Sequence, residues 1–417
     1  MKKLTLVATA VMGLLSTTAA MAQSSVTLYG IVDGGYNHVS GLKQGSVTTI
    51  ASGIMEGSRF GLRGTEDIGG GYKAIFTLEN RFEVDTGSVT NRPNSGAQLP
   101  DRLSTAALLG LPGALQPVVN AVAASIGSTV GVNIAGNLFD RQAFAGLVTP
   151  VGAFTLGRQY TPGYLLSATF DASQTQSSLA VGQVASFPPA VDIRLSNTLQ
   201  YGIQTGGVKA ALMYGAGEVA GSSNNSAGRF WGGMVIYTGN GFSLGYAHNT
   251  KNNELGQKSL TNNILGATVD VGPGTLYGQY ATIKDENPTG LSTIGATVTP
   301  LVGAATGALV QNAFINGLKQ DANLAHIGYK LTSGVHTVVV AYNRLNDKRP
   351  NNADTTSYGA TYTYALSKRT NLNAVLTRFN NKGLGQAAPG GAGFLGGVTS
   401  AAGVGSTNVA FGIRHTF

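Results

Sequence analysis

From residue 25 onward the chain repeats one pattern: short segments in which apolar and polar residues alternate with a period of two. In YKAIFTLENRFEV, Tyr72, Ala74, Phe76, Leu78 and Phe82 lie on one face, and Lys73, Thr77, Glu79, Arg81 and Glu83 on the other. In DIRLSNTLQYGI, Ile193, Leu195, Leu199, Tyr201 and Ile203 oppose Arg194, Ser196, Thr198 and Gln200. Side chains of a strand alternate between its two faces, so this pattern predicts strands. The segments are 25–39, 57–67, 72–84, 139–148, 152–161, 193–204, 207–217, 228–238, 241–250, 260–271, 274–286, 320–332, 335–347, 355–367, 370–382 and 407–417. Their number is even. Every second one ends in a tight turn, such as DIGGG, TPVG, TGNG or VGPG, and the others end in long loops such as GEVAGSSNNSAG and NTKNNELGQKS. Gly- and Asn-rich turns close hairpins. Short turns at one end and long loops at the other, over an even number of antiparallel strands, are the layout of a transmembrane β-barrel.

Alternation alone does not separate this barrel from a soluble sandwich, but the chain's start does. MKKLTLVATAVMGLLSTTAAMA has two lysines, a short apolar run and an Ala-Met-Ala end. That is the layout of a secretory signal peptide over 1–22, which places the mature domain at 23–417 and lowers the formal charge from +8 to +6. The chain has no cysteine, so no disulfide holds it, and after the leader no run of eighteen apolar residues offers a spanning helix. In hydrocarbon an unpaired strand edge leaves backbone polar groups unsatisfied, so the last strand, STNVAFGIRHTF, must pair with the first, SSVTLYGIVDGGYN. Phe417 then faces lipid at the rim and Arg414 faces a wet interior.

SSVTLYGIVDGGY, SRFGLRGTEDIGGGYKAIFTLE, AFTLGRQYTP and the terminal GIRHTF resemble the Gram-negative general porins, most closely the trimeric neisserial and betaproteobacterial type, over nearly the whole mature chain. The resemblance implies an all-β fold, a 16-stranded antiparallel transmembrane barrel in the outer membrane. It also implies a homotrimer, a pore narrowed by the third extracellular loop, and a terminal Phe417 read by the barrel-assembly machinery. The expected function is passive diffusion of ions and small hydrophilic solutes, with no reaction catalysed and no cofactor. A substrate-specific channel for sugars or phosphate is the alternative, and a barrel enzyme a more remote one.

In such porins wall arginines face acidic or carbonyl groups on the inward-folded loop. Here that loop is 161–192, which carries Asp171 and lacks the PEFGG-like turn of the family, reading PGYLLSATFDASQ instead. Matched motif by motif, Arg59, Arg141 and Arg194 resemble the constriction arginines, and Arg81 and Arg63 share their lumen-facing parity. The plainer reading of each is a rim charge or half of an ion pair, with Glu66, Glu79 and Glu83 as partners. A ring of uncompensated guanidinium groups concentrates anions, so moderate anion selectivity is expected.

Two long extracellular loops, about 85–138 and 287–319, hold insertions without one charged residue, 103–139 and 289–318. Proline, glycine and asparagine argue against spanning helices there. They are either mobile loops or apolar segments that pack on each other, on the barrel mouth or on a neighbouring subunit. The histidines, at 38, 248, 326, 336 and 415, form no catalytic or metal motif. The basic residues are scattered, which gives no nucleic-acid footprint. Lysine and arginine in loops such as NDKRPNN are placed to meet lipopolysaccharide.

Overall fold

A computed structural model describes residues 25–89, 97–129, 137–174, 192–390 and 397–417. The leader, 1–22, lies outside the described residues. The strands are β1 (Ser25–Leu42), β2 (Gly45–Ser52), β3 (Arg59–Gly69), β4 (Tyr72–Arg81), β5 (Gln142–Thr149), β6 (Gly152–Tyr160), β7 (Arg194–Thr205), β8 (Val208–Gly215) and β9 (Phe230–Thr238). After these come β10 (Phe242–Asn252), β11 (Lys258–Val271), β12 (Gly274–Asp285), β13 (Gln320–Ser333), β14 (His336–Asp347), β15 (Thr355–Ala365), β16 (Thr370–Asn381) and β17 (Ser406–Thr416). Each pairs antiparallel with its neighbours, and β17 returns to β1 from Thr416–Ile31 to Thr407–Ser40, closing the sheet.

Seventeen strands fill sixteen positions. The long β1 pairs with β2 along its upper half and with β3 along its lower half, so β2 and β3 share the second position. The alternation predicts β3 within 57–67, whereas β2 falls between the predicted strands 25–39 and 57–67. The break is sealed by Asp33, whose carboxylate accepts from the backbone amides of Ile54 (3.0 Å), Met55 (2.9 Å) and Glu56 (2.8 Å). Ser58 Oγ donates to Asp33 O at 2.9 Å and accepts from Asp33 N at 3.0 Å. Every residue from 53 to 58 is buried inside the wall. A glycine run turns β3 into β4, with φ of +61° at Gly70 and +83° at Gly71, a conformation L side chains seldom adopt.

The two faces of the wall divide as the alternation predicts. Trp231, Leu244, Leu265, Tyr280, Leu376, Phe411 and Ile413 are exposed on the outside, while Asn37, Thr77, Gln200, Asn262, Asn343 and Asn408 are buried inside. This inversion of a soluble core is what a lipid-facing exterior and a polar lumen require. Phe417 follows the rule: its ring lies outside against Gly30, where an added Cβ would sit 2.3 Å from it. Arg414, three residues earlier, points inward to Glu56.

Helices appear where the strand pattern stops. Between β4 and β5 lie α1 (Asp101–Ser104) and α2 (Gln116–Thr129). Between β6 and β7 lies α3 (Pro162–Phe170), and between β12 and β13 lie α4 (Ile294–Val302) and α5 (Ala304–Leu318). The uncharged insertions are therefore ordered in their described parts, and they pack on each other. Val119 and Val122 of α2 join Val298 of α4 and Val310 and Phe314 of α5 in one buried cluster.

Candidate functional site

A cluster of lumen-facing charges gathers on one side of the barrel. The ladder sets Arg59 opposite Arg81 and Gly61 opposite Glu79. Arg141, just before β5, gives its Nε to Glu79 Oε1 at 2.6 Å and one terminal nitrogen to Tyr160 Oη at 2.8 Å. Glu79 also accepts from Tyr29 Oη at 3.1 Å. Arg194, the first residue of β7, donates to the same Tyr160 Oη at 2.8 Å, and its guanidinium carbon stands 4.4 Å from the centre of the Tyr160 ring. Such a cation over an aromatic face is worth about 0.5–2 kcal/mol. Tyr160 in turn stacks on Tyr164 of α3, with centroids 5.1 Å apart and planes 13° apart.

Four arginines are ion-paired, two of them with the same carboxylate. Arg81 binds Glu83 through two nitrogens. Arg59 lies 3.6 Å from Glu56, and Arg414 reaches the other oxygen of that carboxylate at 2.7 Å. Arg141 and Glu79 form a pair in which both side chains are nearly inaccessible. Arg194 differs: among the described residues no carboxylate lies within ion-pair distance of it, and its Nε is buried without a hydrogen bond. The sequence of 175–191, TQSSLAVGQVASFPPAV, contains no acid.

The structure thus brings Arg59, Arg81, Arg141 and Arg194 together. Arg63 lies lower on the same face of β3, with its guanidinium 5.1 Å from the Tyr29 ring centre. Glu66 has the opposite parity on that strand, so the acid beside Arg59 is Glu56 instead. Asp171 caps the end of α3, where Ser173 donates to it through N (2.8 Å) and Oγ (2.7 Å). The next amide, Ala172 N, donates to His326 Nε2 of β13 at 3.1 Å. Asp171 therefore sits at the wall across from the arginines, and α3 meets them through Tyr164. Glu56 was missed because it lies in the strand break. Tyr160 was visible in the quoted AFTLGRQYTP, two residues after Arg158, but only the charged residues of that stretch attract notice.

A helix packs along the inner face of β9–β11 because the sequence caps it and makes room for it. Thr161 Oγ1 accepts from Tyr164 N at 3.2 Å, and Pro162 opens the first turn. Phe170, fully buried, lies against β10 and β11 where the wall is glycine: a Cβ would stand 2.6 Å from the ring at Gly245 and 2.2 Å at Gly266. Gln279 Nε2 holds Ser167 O at 3.2 Å, and Asn249 Oδ1 accepts from Gly163 N at 3.2 Å.

Comparison with known proteins agrees with this architecture. The model of the Gram-negative porin family matches residues 8–384. Outer membrane porin protein 32 of Delftia acidovorans is 30% identical over 435 residues, covering all of both chains. The anion-selective porin from Comamonas acidovorans superposes with a TM-score of 0.68 at 25% identity, over 95% of this chain and 100% of that one. OmpT of Vibrio cholerae in its trimer form superposes with a TM-score of 0.57 at 13% identity, over 94% and 99% of the chains, a likeness of fold.

Proposed function

The chain belongs to the Gram-negative porin family, and from that premise we propose that it selects anions at the Tyr160–Arg194 side of its lumen. It is a multi-pass outer-membrane protein through whose barrel small hydrophilic solutes diffuse, a channel rather than an enzyme. In our reading the segment 161–192 narrows the pore, and Arg59, Arg81, Arg141 and Arg194 line the narrowing, with Arg63 below them. Ala172, beside Asp171, ties that segment to the far wall through His326. Relatives include a trimer form, and we extend homotrimeric assembly to this chain, with Phe417 as the residue the barrel-assembly machinery recognises. We also propose lipopolysaccharide as a partner for Lys348, which is exposed and only loosely paired with Asp321 at 3.8 Å, while Arg349 is drawn into a closer ion pair with Asp347.

The observation that carries the selectivity is Arg194. Its charge is held against an aromatic face with no carboxylate within ion-pair distance among the described residues, in a place where low-dielectric walls focus its field. The anion selectivity named for the Comamonas relative points the same way. The test is the reversal potential of a planar bilayer under a KCl gradient. The wild-type channel is expected on the anion side, and Arg194→Ser is expected to move it towards zero by more than Arg59→Ser does. A cation-side wild-type potential, or an unmoved Arg194→Ser, sinks the assignment.

A further inference from the structure

The two uncharged insertions leave the barrel at opposite points of its rim. Counting β2 and β3 as one position, β4 and β5 are the third and fourth of sixteen, and β12 and β13 the eleventh and twelfth. They are separated by half the circumference, yet α2 from the first pair packs on α4 and α5 from the second. Segments rooted on opposite sides that share a core must meet over the opening. The helices therefore form a roof across the extracellular mouth.

Polar ties fix the roof to the rim at several points. Arg102 donates to Gly317 O at 2.7 Å, and Arg349, paired with Asp347, also binds the carbonyls at the end of α5. Lys43 of the β1–β2 turn pairs with Asp101 at 2.7 Å. Gln386, between β16 and β17, accepts from Asp101 N at 2.6 Å. On the other flank Glu254 of the β10–β11 loop accepts from Gly290 N (2.8 Å) and Ser292 N (3.1 Å). Partial burial works against its ionisation, but these bonds outweigh it and hold the carboxyl below the usual glutamate range. The charges sit at the anchors. The spans between them, 103–139 and 289–318, carry none.

We propose that this roof is a second specificity determinant of the channel: a neutral filter outside the arginine cluster that selects solutes by size and leaves the choice of charge to the arginines. A roof without charged groups neither attracts nor repels ions through its own field, so what it contributes is obstruction. Its position means that a solute passes beside it before reaching Arg194. The inference rests on the channel reading, and conductance of the wild-type protein tests that reading separately.

Two variants test the roof. In one, residues 291–318 are replaced by a short Gly-Ser turn. In the other, Phe314→Asp sets a charge in the α2–α5 seam while keeping the full chain. For each, folding is checked by gel mobility before and after heating. Single-channel conductance, KCl reversal potential and the swelling rate of proteoliposomes in mono-, di- and trisaccharides are then measured. The replacement is expected to raise conductance at least twofold and to lift trisaccharide entry more than monosaccharide entry, with the reversal potential unmoved. Phe314→Asp is expected to change both in the same direction by less. A folded replacement variant with unaltered conductance and size dependence overturns the proposal. So does a reversal potential that shifts with the conductance, because the roof would then act through the arginines. A wild-type protein that conducts nothing would instead remove the channel reading itself.

Discussion

At the scale of single residues, the lumen separates arginines held in ion pairs with wall carboxylates from Arg194, which has no such pair among the described residues. Arg141 and Glu79 are both buried, and breaking a buried pair by removing one partner costs about 3–5 kcal/mol. Arg141→Ser strands a carboxylate in the lumen, so it is expected to lower both the melting temperature and the anion selectivity. Glu79→Gln removes the opposing charge but keeps an acceptor for Arg141 Nε, so it is expected to raise anion selectivity at a smaller cost in stability. Thermal melts in detergent and reversal potentials check both; equal selectivity in the two variants would contradict this division. The sequence made Arg59, Arg141 and Arg194 legible because their motifs are local. It did not reveal which of them is compensated, because Glu56 lies in the strand break and Tyr160 meets Arg141 and Arg194 only once β5, β6 and β7 pair. Asp171 was the residue least readable: its membership of the loop 161–192 could be read, but its place at the end of a helix could not.

Among elements, the strands were legible and the helices were not, for one physical reason. A wall strand has lipid on one side and water on the other, and this forces the period-two alternation that the sequence displays. The helices have no such uniform surroundings. Nearly all of α3 is buried on every side, so its PGYLLSATF shows no polar stripe to betray a helix, and α2 and α5 carry no charges to mark an exposed face. The strand break at 53–58 escaped notice because its only signature is the reach of Asp33 from β1. What positions α3 is equally non-local, namely the glycines at 245 and 266 that leave space for Phe170. Gly266→Val is expected to push Phe170 off the wall, since even its Cβ would come within 2.2 Å of the ring. Displacing the helix that lines this inner wall should alter single-channel conductance and increase its noise, while the barrel still folds. An unchanged conductance trace in a folded Gly266→Val protein would show that α3 does not limit the current.

For the whole molecule, closure is the condition on which everything else stands, because an open edge in a bilayer has no partner for its backbone. The closing seam ends in a reciprocal pair: Gly30 N donates to Phe417 O and Phe417 N to Gly30 O, both at 3.1 Å. The ring of Phe417 lies on the glycine that completes this pair, so the terminal residue is at once the last rung and a lipid-side cover for it. Deleting Phe417 removes two backbone bonds, each worth about 0.5–1.5 kcal/mol net where water can still reach and more where it cannot. The deletion is expected to lower the yield of heat-modifiable, folded protein on refolding into lipid, while Phe417→Leu, which keeps the backbone pair, is expected to refold nearly as well as wild type. The two roles of the residue separate in cells. If Phe417→Leu refolds normally in lipid but reaches the outer membrane poorly, the aromatic ring serves recognition by the assembly machinery and the backbone serves closure. If the deletion refolds as well as wild type, the seam is held by the strand pairs above it, and the terminal rung contributes nothing to closure.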